Sequence, residues 1–370
     1  MIYVFYSNDP LAQDIGGGAE HFRGLYRALR VSGLHFQLVG ARLQSERSDP
    51  RITYISKSSH FLKFYLALWL WFWRHRKQFR HGDVFHFHRN YAAWPKLVFA
   101  PKRGRVIISY HNVTGRVLEG LLGSFGRPIR RLMLAFERRV AALADAIICV
   151  SSRDRLTLQK EVAEQPFEKA NVIPAAFDQR LFKDTAIQPP QSSQSTKLLA
   201  LGRISHQKNM PLAVAVLEWL HERGFDYSLT IAGHGEDAKQ LIRRIAESPV
   251  SGKINWIGGV DHDQVPGLMA EHGILLLTSR YEASPTVVKE ALRCKRPVVS
   301  TDVGDVADWI DQERSGMICE HSADALGQGV LATTRIIREG RYAQGTQIEA
   351  MDEQAIMAQV LRLYRRLAAV

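Results

Sequence analysis

Short runs of β-branched and aromatic residues alternate along this chain with longer stretches in which apolar residues recur every three or four positions. That alternation predicts parallel sheets assembled from βαβ units, an α/β fold. In the first half, IYVFYS (2–7), HFQLVG (35–40), RITYIS (51–56), VFHFH (84–88), RVIISYH (105–111), AIICVS (146–151) and NVIP (171–174) read as strands. Residues 184–196, DTAIQPPQSSQST, form the one Pro/Gln/Ser-rich stretch and read as a linker. Strands then resume with KLLALGR (197–203), SLTIAG (228–233), INWIGG (254–259), ILLLTS (274–279), PVVST (297–301) and GMICE (316–320). The expected organisation is a Rossmann-like domain over 1–183, the linker 184–196, and a second Rossmann-like domain over 197–351. A final helical segment, 352–369, has no strand after it and is expected to pack back on the first domain. Two such halves place parallel sheets across a cleft at the carboxyl ends of their strands, the usual ligand position in this architecture.

Two helical stretches carry unusual surfaces. In RPIRRLMLAFERRVAALADA (127–146), Ile129, Leu132, Met133, Phe136, Val140 and Leu143 share one face, and Arg127, Arg130, Arg131 and Arg138 the opposite one. In FLKFYLALWLWFWRHRKQFRH (61–81), leucines and aromatics run ahead of a basic cluster. The unbroken apolar run Phe64–Trp73 is ten residues, short of the roughly 20 that span a bilayer. Most of 61–73 is expected to be core packed on the sheet. The arginine face of 127–146 is expected to meet an anionic surface or a phosphorylated acceptor.

Composition sharpens this picture. The chain has 370 residues, 46% hydrophobic and 23% charged, as in a globular protein of two domains. Cys149, Cys294 and Cys319 are scattered in apolar surroundings without CxxC spacing, which fits buried thiols in a reducing compartment, the cytoplasm. MIYVFYSNDP has no basic stretch ahead of its apolar residues and so lacks the pattern of a secretion signal. The net charge of +12 is uneven: residues 1–190 carry 29 Lys+Arg against 15 Asp+Glu, residues 191–370 carry 20 against 22. A basic first half points to an anionic partner such as a membrane surface, a nucleic acid or a phosphorylated acceptor. No zinc-finger or RNA-binding motif accompanies the charge, so nucleic acid is not the expected partner.

Four stretches carry candidate chemistry. Gly16-Gly17-Gly18 follows the first strand and leads into a helix, so backbone can approach a phosphate or sugar closely there, or it is a flexible turn. It is not GxGxxG, and no acidic residue ends a second strand, which argues against a nicotinamide dinucleotide site. LALGRISHQKN (199–209) ends a strand in Gly202-Arg203 with Lys208 five residues on, a pair able to neutralise a diphosphate or simply to sit in solvent. IAGHGED (231–237) ends another strand in a turn containing Gly233. In RYEASPTVVKEAL (280–292), Ser284 is expected as N-cap and Pro285 as first helical residue. Glu282 then stands in the loop, Glu290 inside the helix, and the N–H groups of Thr286 and Val287 at its positive end. Asp261-His262-Asp263 has the look of a metal-binding DxD, but its place before QVPGLMAEH predicts a helix cap and no metal.

In that order, with DVFHFH (83–88), SYHN (109–112), ICVSS (148–152), VIPAAFD (172–178) and STDVGDVADWI (300–310), these motifs resemble the retaining, family 4 type of GT-B glycosyltransferases over nearly the whole chain. The resemblance implies the GT-B fold and sugar transfer from a nucleotide-diphosphate donor such as a UDP-, GDP- or ADP-sugar, with no further cofactor. It implies that Arg203 and Lys208 bind the diphosphate, Glu290 the ribose, and Glu282 the donor sugar. Pro285, Thr286 and Val287 would cradle the distal phosphate, with His111, Gly17, Gly18 and Gly233 lining the site. With the arginine face of 127–146 and the aromatic-basic stretch 61–81, the expected acceptor is a lipid-linked or cell-envelope glycan or glycolipid, as in lipopolysaccharide or polysaccharide biosynthesis, reached by peripheral association with an anionic membrane at the cytoplasmic face. A soluble enzyme with a small acceptor and an inactive nucleotide-sugar binder are the alternatives. The chain departs from the family pattern at Glu282-Ala283-Ser284-Pro285, where Glu-Gly-Phe/Leu-Pro is common, and at Gly304-Asp305, where Gly-Gly is usual.

Overall fold

The computed structural model describes residues 1–7, 9, 17–41, 49–57, 60–110, 127–162, 168–182, 187–344 and 352–369. It divides into two compact units: Met1–Asp14 with Gly18–Ala175 and Gln354–Val370, and Ile15–Gly17 with Ala176–Glu353. All thirteen strands expected from the sequence form.

The first unit holds β1 (Ile2–Phe5), β2 (Phe36–Ala41), β3 (Ile52–Ser56), β4 (Val84–Phe87), β5 (Arg105–Tyr110), β6 (Ala146–Cys149) and β7 (Ala170–Val172), in the order β3-β2-β1-β4-β5-β6-β7. Every pairing is parallel, so both faces need a helical cover. The core on one face is strongly aromatic: Phe5, Phe85 and Phe87 of the strands meet Phe64, Leu68, Trp71 and Phe72 of the helix Phe61–His75. Core burial in 61–73 is narrower than expected: Phe64, Leu68, Trp71 and Phe72 are buried, while Leu62, Leu66, Leu70 and Trp73 are exposed.

The helix Arg127–Leu143 differs from its sequence expectation. Its buried line is Glu137, Val140, Ala141 and Ala144 at its end, while Phe136 is half-buried and Leu143 lies in solvent, 44% exposed. Asn90 Nδ2 donates to Glu137 Oε1 at 2.7 Å, which gives that buried carboxylate a partner. The side chains of 127–133, including Arg127, Arg130 and Arg131, lie outside the described residues. The helix Glu353–Ala368 belongs to this unit, where the Tyr364 hydroxyl stands 2.6 Å from His86 Nδ1.

The second unit holds β8 (Lys197–Leu201), β9 (Ser228–Ala232), β10 (Ile254–Gly258), β11 (Ile274–Leu277), β12 (Val298–Thr301) and β13 (Gly316–Cys319), in the order β10-β9-β8-β11-β12-β13, again all parallel. Separate apolar clusters cover its two faces. The described part of the Pro/Gln/Ser-rich stretch packs on this unit: Gln194 Nε2 donates to Ala270 O at 2.7 Å and Ser195 is fully buried. The contact boundary between the units thus falls at Ala175/Ala176, ahead of the stretch read as a linker. In both sheets the order of strands reverses, at β1/β4 and at β8/β11, and the crevice at such a reversal is where open α/β sheets take ligands.

Candidate active site

The carboxyl ends of β8 and β11 lie side by side at the reversal in the second sheet, and the loops leaving them are tied together. Arg280 N–H donates to Gln207 O at 2.8 Å, and Thr278 Oγ1 reaches the carbonyls of Lys208 and Asn209, each at 3.1 Å. Asn209 closes the first loop in a left-handed conformation, φ 49°, ahead of the helix Met210–Glu222. Lys208 runs back over Gly202, whose missing Cβ would lie 3.5 Å from Lys208 Cε. Its ammonium then meets Glu282 Oε1 at 2.6 Å.

Glu282 is held by more than this ion pair. Ser279 Oγ donates to Oε1 at 2.7 Å, and Gln207 Nε2 donates to Oε2 at 3.2 Å and to Tyr281 O at 3.0 Å. Three donors on a carboxylate only 8% exposed fix its orientation before any ligand arrives. Burial, followed by the charge of Glu282, raises the Tyr281 phenol above its usual pKa.

The helix that follows begins one residue later than the sequence implied. Pro285 is its N-cap, extended at φ −71° and ψ 104°, and Thr286–Arg293 form the helix. Ser284 does not cap it because its hydroxyl is engaged elsewhere: it donates to Asp305 Oδ2 at 2.6 Å and accepts from Lys289 Nζ at 2.6 Å. Lys289 is fully buried, 3.1 Å from Asp305 Oδ2 and 4.9 Å from the centre of the Trp309 ring. Burial lowers the pKa of that ammonium, and Asp305 opposes the shift. The two departures from the family pattern, Ser284 and Asp305, are therefore partners in one buried network that ties the Glu282 loop to the loop after β12. Gly304 lies in that second loop at φ +55°, where a Cβ would strike Ala283 O at 2.7 Å.

Thr286 and Val287 stand in the first turn, where N–H groups have no carbonyl four residues back to bond. Glu290, 6% exposed, is the fifth residue of the helix, and His262 Nε2 lies 3.4 Å from its Oε1. His262 opens the short 3-10 helix His262–Gln264 that Asp261 caps, in a capping box with Gln264. Gly233 is required by packing: at φ +146° its Cβ would fall 1.8 Å from Gly202 O, because the turns after β8 and β9 touch through backbone.

The structure thus brings Lys208 and Glu282 into direct contact, with Pro285, Thr286, Val287 and Glu290 on the adjoining helix. Arg203 is exposed at the end of β8 and makes no ion pair among the described residues. Gly17 and Gly18 open the helix Gly17–Val31 in the chain's N-terminal part, with Tyr6 Oη 3.3 Å from where a Gly18 Cβ would be. His111 and Gly16 lie outside the described residues. Gln207, Ser279 and Lys289 went unread in the sequence, as did the contacts of His262 with Glu290 and of Asp305 with Lys289. The available signal was a lysine and an aspartate standing amid apolar neighbours, VVKEAL and DVGDVADW, a pattern that calls for a buried partner.

With this geometry in hand, comparison with known proteins places the chain. Residues 15–180 match the profile of Glycosyltransferase Family 4, and residues 183–333 that of Glycosyl transferases group 1. The chain belongs to this family of GT-B glycosyltransferases. The α-D-kanosaminyltransferase of Streptomyces kanamyceticus is 25% identical over 191 residues, 49% of this chain and 49% of that protein. The chain spans about half the length of the curated relatives it matches. Among solved structures, the sucrose-phosphate synthase of Thermosynechococcus elongatus superposes with a TM-score of 0.78 at 18% identity, covering 100% of this chain and 99% of that one. Anabaena HepE, solved in complex with UDP and glucose, gives a TM-score of 0.68 at 16% identity over 100% and 98% of the two chains.

Proposed function

We propose that this protein transfers a sugar, with retention and without a metal, from a nucleoside-diphosphate donor to a hydroxyl of a glycan or lipid-linked acceptor at the cytoplasmic face of the membrane. The observation that carries the reading is the Lys208–Glu282 pair at 2.6 Å beside the open first turn of Thr286–Arg293. One cation from the loop after β8, one oriented carboxylate from the loop after β11 and the open N–H groups of the helix that follows suit a diphosphate joined to a polyol.

In this reading Lys208 and Arg203 neutralise the diphosphate as its bond to the sugar breaks, the term that usually dominates such transfers. Glu282, kept in place by Ser279 and Gln207, hydrogen-bonds the sugar hydroxyls and faces the positive charge that grows on the anomeric carbon. Glu290 takes the ribose hydroxyls, with His262 at its side. The departing phosphate oxygen accepts the proton of the incoming hydroxyl on the same face, which keeps the anomeric configuration. That HepE was solved with UDP supports a nucleoside diphosphate as the kind of ligand.

The test is a thermal-shift panel of UDP, GDP, ADP, TDP and CMP with their common sugar conjugates, all in EDTA. A ligand at 100 times its Kd stabilises by about 2.7 kcal/mol, enough for a clear rise in melting temperature. A shift with one nucleoside diphosphate supports the reading and identifies the base. A shift that needs added magnesium overturns metal independence, and no shift across the panel overturns the donor assignment. NMR of the product's anomeric proton then tests retention.

A further inference from the structure

We propose that the outer face of the helix Phe61–His75 is a membrane-docking surface, lying in the boundary between headgroups and acyl chains of an anionic bilayer. The proposal deepens the membrane-borne acceptor of the preceding reading and rests on it. The helix is apolar on both sides. At 100° per residue, Phe64, Leu68, Trp71 and Phe72 fall within an arc of about 100° and are buried against the first sheet. Leu62, Leu66, Leu70 and Trp73 fall within an arc of about 80° on the opposite side, and they are 53%, 60%, 45% and 49% exposed. A surface helix with one core-facing side needs apolar residues on that side only, and a second apolar stripe turned to water is costly unless something covers it. The patch continues onto the neighbouring helix Trp94–Phe99, whose Phe99 ring packs 5.3 Å from Trp69 and whose Val98 is 47% exposed.

The rim of the stripe identifies what covers it. Between Asp49 and Asp83 the sequence has no acidic residue and seven Lys or Arg. Of these, Lys63, Arg74 and Lys77 are exposed beside or just beyond the stripe. The Arg76 guanidinium lies 5.0 Å from the centre of the Trp73 ring and donates to Trp73 O, at the end where the helix leaves the apolar region. Leucines in a line, a tryptophan at the end and cations around it match the layers of an anionic lipid surface, with acyl chains beneath and phosphates above. A second copy of this chain would bring two basic rims together, and an acidic protein would not explain the leucine line. The helix has 15 residues, and no helix among the described residues is long and apolar enough to cross a membrane, so the stripe lies along the surface.

The experiment is co-flotation of the full chain with vesicles of phosphatidylcholine, with and without phosphatidylglycerol. The wild type should float with the anionic vesicles and much less with the neutral ones. The triple variant Leu62→Ser, Leu66→Ser, Leu70→Ser should bind at least about tenfold less, because each removes apolar surface from the lipid. Its substitutions are at exposed positions, so its melting temperature should stay at the wild-type value. A second variant, Trp73→Phe, should remove the blue shift of tryptophan emission that the wild type shows on adding anionic vesicles. Undiminished flotation of the triple variant, or a blue shift that survives Trp73→Phe, overturns the proposal. So does a self-association seen by analytical ultracentrifugation that the triple variant abolishes. Nucleotide-induced thermal shifts, measured without lipid, report on the donor site separately, so the two readings fail independently.

Discussion

Removing Lys289, on the helix Thr286–Arg293, should destabilise the two loops that converge on it. Its ammonium is fully buried, and its partners are Ser284 Oγ at 2.6 Å and Asp305 Oδ2 at 3.1 Å. Asp305 is 2% exposed in its side chain, and its other oxygen, Oδ1, already has no partner among the described residues. Lys289→Met fills most of the same volume and leaves a buried carboxylate with one neutral donor, the Ser284 hydroxyl at 2.6 Å. Breaking a buried pair from one side costs about 3–5 kcal/mol, and the surviving hydrogen bond returns about 1, so a loss near 3 kcal/mol is expected. Asp305→Asn alone should cost a comparable amount by stranding the ammonium. The double variant has no buried charge left and should be more stable than the sum of the two losses by about 2 kcal/mol. Urea unfolding followed by tryptophan emission suits the assay, since Trp309 lies 4.9 Å from the ammonium. Strict additivity, or a Lys289→Met cost below about 1 kcal/mol, would refute the view that this network is a paired buried charge holding the Glu282 loop. Nucleotide affinity should fall in each single variant and recover in part in the double one.

Four further outcomes follow from the geometry. Glu290→Ala should weaken nucleotide binding in calorimetry by about tenfold, the worth of a hydrogen bond to a charged group, and unchanged affinity would remove it from the ribose site. Lys208→Ala or Arg203→Ala should cut turnover by about a hundredfold, far more than it disturbs folding, and unchanged turnover would take that residue off the leaving group. Gly233→Ala should cost about 3 kcal/mol, because its Cβ would fall 1.8 Å from Gly202 O at φ +146°, and a neutral effect in urea melts would contradict that packing. His86 is held neutral by burial first and by nearby His21 second, with its pKa lowered to about 3. An unfolded histidine titrates near 6.5, so below that pH the unfolded chain binds the extra proton, and stability falls by up to about 1.4 kcal/mol per pH unit towards pH 3. His86→Asn should show a shallower loss between pH 6.5 and 4 in acid melts, and an unchanged slope would show that His86 is not the responsible group.

Some of this protein was determined by its sequence alone, and for a local reason. A strand buried on both faces must be a short apolar run, so IYVF, VFHF, ILLL and VVST declare themselves without tertiary context, as do the helices between them. The Glu282 to Glu290 spacing and the lysine five residues past Arg203 are likewise properties of the chain. What covers a helix is not local. The same leucines in 61–75 serve the core or face outward according to how the helix is rotated on the sheet, and only packing shows that Phe64 and Phe72 went inward while Leu66 and Trp73 did not. In 127–143 the pattern held at Val140 and in part at Phe136, while Leu143 faces outward and Glu137, bonded to Asn90, is buried. Pairings across long separations were equally invisible: Ser284 fails as a cap because Asp305, 21 residues on, takes its hydroxyl, and Glu282 is oriented by Gln207, 75 residues away. Spacing along a chain fixes which groups share a turn or a face, while the folding of β8 beside β11 decides which distant groups become neighbours.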